Sequence, residues 1–195
     1  MTLNIILSIL RPWVIFMVIV IPSPVWSSDL PSYIAGAYTK LLIHELGHAA
    51  VAKGYGASDV TIEIPRENAS LYSGVTYYTS VSPDTETATF KKVMSVSGLV
   101  AANLAGEIVI HQDGLHDNAF AQGILSMFLI SNLTHVVKYY TGYRSADGLG
   151  NDIDSFEFAG GNPHVLSGIL LGYTLWSLKR MSDKSIPLFG INLSF

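Results

Sequence analysis

His44-Glu45-Leu46-Gly47-His48 is the segment whose residue types and spacing could do chemistry. On a helix, positions i and i+4 share a face, so both imidazoles can reach one metal ion. Glu45 lies about 100° round the helix from His44. Its carboxylate can then reach a metal-bound water without ligating the metal. A zinc ion lowers the pKa of that water to roughly 7. Glu45 would take the proton during attack on a carbonyl and deliver it to the leaving amine. The chemistry expected is metal-assisted peptide hydrolysis, with Glu45 catalytic, His44 and His48 as ligands and Zn2+ as cofactor. Three ionisable groups within five residues, in a helix of apolar and small residues, are costly unless paired or bound.

A hydrolytic zinc site takes a third protein ligand and keeps a fourth position open. The chain has no cysteine, so thiolate sites and disulfides are excluded and the third ligand must be His, Asp or Glu. Asp152, Asp154, Asp147, Asp117, Asp113 and Glu107 are the candidates, and spacing alone does not choose among them. Glu107 lines up with Asn103 and His111 as a polar stripe on an apolar helix. It reads equally as a hydrogen-bonding partner to neighbouring helices. Asp113 and Asp117 lie between two helices and read equally as caps. Asn103 and Asn132 read either as oxyanion donors or as interhelical hydrogen bonders.

These residues need a scaffold, and composition indicates its class. Of 195 residues, 49% are hydrophobic and 13% charged, about half the roughly 25% charge of an ordinary soluble domain. The net charge of −4 leaves no footprint for nucleic acid. Residues 1–27 read as a signal peptide or an N-terminal membrane anchor. Residues 28–195 read as a single domain. Its motif-bearing helix is predicted over 31–53, with Ser28 or Asp29 as N-cap and glycines 54 and 56 as the stop. A β-hairpin or small sheet is predicted within about 57–91, from DVTIEI (59–64) and SGVTYYTS (73–80). Apolar helices follow over 93–110, 119–137 and 165–178, the first two long enough to cross a bilayer. Gly98, Ala102 and Gly106 form a small-residue ridge read as helix packing. Residues 141–163 read as a Gly- and Asp-rich connection, and the alternating tail from Phe189 to Phe195 as a terminal strand. The fold class is mainly α: a polytopic membrane helical bundle with a small β insertion after the HExxH helix.

With these residues in hand, the chain resembles the short bacterial branch of the site-2-protease-like membrane metalloproteases. HELGHAAVA (44–52), the strands up to Ser80, SGLVAAN (97–103), the helix around Asn132 and Asn151-Asp152-Ile153 ahead of a Trp-containing helix carry the resemblance. It implies that the third ligand is Asp152. VTIEIPREN (60–68), SGV (73–75) and LAGEIVI (104–110) are similar to the protease domain of the ATP-dependent membrane zinc proteases. There the third ligand is an aspartate in a G-x-x-N-D segment. Gly148 to Asp152 fits that wording, while order along the chain would favour Asp117. No GxxxxGK[ST] segment is present, so no nucleotide is expected.

The expectation is a zinc metalloendopeptidase, integral and multi-pass in a bacterial cell membrane. It would act on a protein or peptide substrate at or in the lipid bilayer. Two alternatives stand beside it. One is a non-catalytic membrane metal-binding or scaffold protein of the same fold, and the other is a secreted soluble zinc protease.

Overall fold

The computed structural model describes residues 26–65, 72–79, 81–82, 84–142, 151–188 and 191–192. The expected anchor or signal at 1–27 falls almost wholly outside these residues, as do Asp147 and most of the tail. The fold is mainly α-helical. Helix α1 (Trp26–Gly54) leads to strands β1 (Val60–Glu63) and β2 (Val75–Tyr78), then α2 (Ala88–His111). A 3-10 turn (Asp113–Leu115), α3 (Ala119–Thr141), α4 (Asp152–Phe158) and α5 (Pro163–Asp183) follow. Short strands β3 (Pro187–Leu188) and β4 (Ile191–Asn192) pair antiparallel after α5. The predicted hairpin is present: β1 and β2 pair antiparallel, with Val60 opposite Tyr78 and Glu63 opposite Val75. Asp59, just before β1, accepts hydrogen bonds from the hydroxyls of Thr79 and Ser58, which hold its carboxyl below the usual range.

Local signals place the helix ends. The Thr87 hydroxyl accepts from the Phe90 amide to start α2. Asn118 caps α3 through Ala121 N, and Gly142, at φ 64°, closes it in the left-handed conformation that glycine adopts without steric cost. Asn162 caps α5 with Pro163 in its first turn. Two expectations are corrected. Helix α1 begins at Trp26, ahead of the predicted caps, and carries Pro31 near its start, where few intrahelical bonds are lost. The 141–163 connection contains α4, started by a capping box in which Asn151 accepts from Asp154 N while Asp154 accepts from Asn151 N.

Glycines bring α1 against its neighbours. A Cβ on Gly36 would lie 1.9 Å from the Phe120 carbonyl oxygen, and one on Gly123 would lie 2.1 Å from that of Tyr33. The α1 and α3 backbones therefore touch. Gly47, inside the HELGH segment, meets Ser97 O at 2.5 Å in the same sense and seats α1 on α2. Two apolar clusters fill the interior. Val109, Ile110, Leu125, Phe128, Met181 and Ile186 pack one end of the bundle. Leu99, Val136, Ile153 and Leu170 join α2, α3, α4 and α5 at the other. Ile153 is fully buried, and its anchorage carries the adjoining Asp152 inward.

A polar seam also ties α2, α3 and α5. Asn132 donates to Asn103 Oδ1 at 2.9 Å and to Thr174 Oγ1 at 3.2 Å. Arg180 grips Glu107 with both terminal nitrogens, Nη1 to Oε2 at 2.8 Å, and Tyr173 donates to the same carboxylate. The Arg180 guanidinium also stacks on Trp176, 3.6 Å from the ring centroid. Glu107 is thus a structural partner of α5, and the two asparagines bond across helices.

Candidate metal centre

Four side chains from three helices converge beside Gly98. His44 and His48 come from adjacent turns of α1, and their Nε2 atoms are 3.2 Å apart. His135 comes from α3, with its ring stacked on that of His44 at 5.6 Å between centroids. Asp152 comes from the first residue of α4. Its Oδ2 lies 3.2 Å from His44 Nε2 and 3.9 Å from His135 Nε2, and its Oδ1 lies 3.6 Å from His48 Nε2. Burial alone would raise the Asp152 carboxyl, but attraction to the imidazoles of His44, His48 and His135 outweighs it. The carboxyl is held well below the usual carboxylate range.

The surroundings orient these groups. His48 Nδ1 lies 2.7 Å from the Met94 carbonyl oxygen. A carbonyl only accepts, so Nδ1 carries a proton and Nε2 is the atom left to face the cluster. Ser97 reinforces the arrangement, donating to Met94 O at 2.8 Å while its Oγ stands 3.2 Å from His48 Nδ1. Such outer contacts fix how a ligand histidine points. Gly98 completes the cradle: a Cβ there would lie 2.4 Å from His48 Nε2 and 2.8 Å from His44 Nε2. Glu45 is buried beside the cluster, and the Thr76 hydroxyl lies 2.8 Å from its Oε2 and 3.0 Å from its main-chain oxygen.

Three of these residues, His44, His135 and Asp152, offer ligand atoms that all lie within 4.8 Å of one another. Asp152 Oδ2 and the Nδ1 atoms of His44 and His135 are buried and have no hydrogen-bond partner among the described residues. An unsatisfied carboxylate oxygen aimed at imidazole nitrogens fits a cation, because burying such an atom without a partner is costly. The cluster can chelate a metal ion.

This set corrects the sequence reading. The expected centre took both of its histidines from one contiguous HExxH turn, with Glu45 as base. The set whose ligand atoms all lie within 4.8 Å of one another instead takes one residue from each of α1, α3 and α4, at positions far apart in sequence. The zinc-endopeptidase activity drawn from the HExxH spacing is withdrawn on that ground. Of the candidate third ligands, Asp152 is in the cluster. Asp154 is spent on the α4 capping box, Glu107 on Arg180, and Asp113 on Lys184 at 3.0 Å. Asp117 is not in the cluster. His135 was missed, although a lone ionisable residue in an otherwise uncharged apolar helix was the available signal. The ridge at Gly98, Ala102 and Gly106 divides in two: Gly106 packs on Phe128, whereas Gly98 abuts the histidines. No protein-family model, curated protein or solved structure matches the chain, so neither the site-2-protease-like resemblance nor the likeness to ATP-dependent membrane zinc proteases gains support.

Proposed function

We propose that this chain is an integral, multi-pass membrane protein that binds a metal ion, Zn2+, as a non-catalytic structural or scaffolding centre. The observation that carries the reading is the buried, unsatisfied Asp152 Oδ2 facing histidines from α1 and α3. His44, His135 and Asp152 would hold the ion, with His48 as a fourth ligand. Nitrogen and carboxylate ligands without sulfur suit zinc. In a tetrahedral zinc site with bonds of about 2.0–2.1 Å, neighbouring ligand atoms stand roughly 3.3 Å apart. Separations of 3.2, 3.2 and 3.6 Å among His44, His48 and Asp152 are close to that edge, and His135 Nε2 stands further out, 3.9 Å from Asp152 Oδ2. Four protein ligands fill a tetrahedral shell, which is the pattern of structural zinc rather than of a site with an open position. Bound there, the ion supplies a cross-link between α1, α3 and α4.

Helices α2 and α3 are long and apolar enough to cross a membrane, and about half of each apolar window is buried within the fold. The rest faces outward. Val100, Leu104 and Ile108 on α2, Val137 on α3, and Ile169 and Leu175 on α5 are each more than half exposed. Apolar surface on several helices round a bundle fits lipid as its partner.

Metal analysis of the detergent-purified protein tests the centre. About one zinc per chain is expected for wild type and for Glu45→Gln, and less than a tenth of that for His135→Ala and Asp152→Ala after dialysis. Full zinc retention by His135→Ala would sink the closed shell. Membrane embedding has its own measurement: the chain should stay in the pellet after alkaline carbonate washing, and its release would refute the location.

A further inference from the structure

One buried charge beside the cluster has no part in ligation. Lys40 lies one turn before His44 on α1, in the stripe that continues to His48, and is only 2% exposed. It is among the largest fully buried side chains of the described residues. Its helix face is the one that His44 and His48 turn toward Asp152; burial pushes the ammonium down to about 8, and attraction to the carboxylates of Asp152 and Glu45 works against that. A lysine remains charged in an apolar interior only beside countercharge. Here the countercharge includes the carboxylate that faces the metal position.

We propose that Lys40 is an internal competitor of the metal ion, a positioning residue whose positive charge balances Asp152 and Glu45 in the metal-free protein and weakens the hold on a divalent cation. The proposal rests on the metal-centre reading above. Without metal, two buried carboxylates share a small volume with imidazoles, and the ammonium offsets their charge. With metal, the same ammonium faces a doubly charged cation across a medium of low dielectric, where like charges repel more strongly than in water. Removing the charge therefore has two effects of opposite sign: the metal is held more tightly, and the metal-free fold is weakened. A lysine that merely packed its aliphatic stem would produce no gain in metal affinity.

The test uses the full chain in detergent micelles, zinc as the probe and a competing chelator to set free zinc. Lys40→Met replaces the ammonium by an apolar side chain of similar length, and Lys40→Arg keeps the charge. Zinc should bind Lys40→Met at least tenfold more tightly than wild type and bind Lys40→Arg about equally. The Tm of metal-free Lys40→Met should fall below that of metal-free wild type. Folded Lys40→Met that holds zinc at wild-type strength or more weakly overturns the proposal. Should Lys40→Met fail to fold without metal, recovery of its helical circular dichroism in excess zinc supports the proposal, because an ion then supplies the missing charge; no recovery overturns it. Wild type that binds no zinc overturns the metal centre itself, which separates the two failures.

Discussion

Gly98→Ala removes metal retention while leaving the helices intact. The expected loss is more than tenfold in zinc per chain after dialysis, as large as for deleting a ligand, although the variant adds a single methyl group. That methyl would lie 2.4 Å from His48 Nε2 and 2.8 Å from both His44 Nε2 and His48 Cε1, far inside van der Waals contact. Both rings must turn away, and Nε2 of each is the atom that faces the cluster. Nothing in the backbone opposes the change. Gly98 sits within α2, where alanine is favoured over glycine by about 1 kcal/mol. Metal content measured beside far-ultraviolet circular dichroism separates a blocked site from an unfolded chain. Full zinc content in Gly98→Ala would show that the two histidines do not converge on an ion at this face of α2.

Arg180→Met should cost about 3 kcal/mol of stability, the lower end of the range for leaving half of a buried ion pair behind. The lower end applies because the side chains of Arg180 and Glu107 remain 18% and 22% exposed. Glu107 is the sole charge on α2 beyond Lys92, and without Arg180 its carboxylate keeps, among the described residues, the Tyr173 hydroxyl and the more exposed His111. Lys179→Met is the control. Lys179 is 73% exposed and pairs with Asp183 on the surface of α5, so its loss should cost less than about 0.5 kcal/mol. The double variant Glu107→Gln/Arg180→Met should recover much of the deficit, since no buried charge is then stranded. Unfolding followed in mixed micelles reads all three. Equal stability of Arg180→Met and Lys179→Met would mean that the pair does not hold α5 to α2.

Apolar runs and the glycine stop at 54 made the long helices legible, and the alternation in DVTIEI marks a half-buried strand. The caps Thr87, Asn118 and Asn162 were not read from the sequence, although each is a residue type that accepts from a helix's first amides. Helix α4 was obscured by the company it keeps. Its seven residues include two aspartates and a glutamate, a composition that reads as loop until Asn151 and Asp154 are seen to bond reciprocally. The centre was legible only in part. His44, His48 and Asp152 were singled out, the last through a resemblance that finds no support. His135 was passed over because periodicity within one helix says nothing about which distant helix will face it. Lys40 carries no motif that marks it as buried, and the Asp152 carboxylate that attracts it belongs to a residue over a hundred positions away. The HELGH spacing was the most conspicuous signal, and it misled by pointing to one helix for a cluster that three helices assemble.

The contact between α1 and α3 through Gly36 and Gly123 has a mechanical corollary. With carbonyl oxygens only 1.9 and 2.1 Å from where a Cβ would stand, the two helices cannot slide or rotate past each other without collision. They behave as one stiff beam, and His44 and His135 ride on it as a pair of fixed jaws. Asp152 is carried by the far shorter α4, whose hold on the bundle runs through the fully buried Ile153.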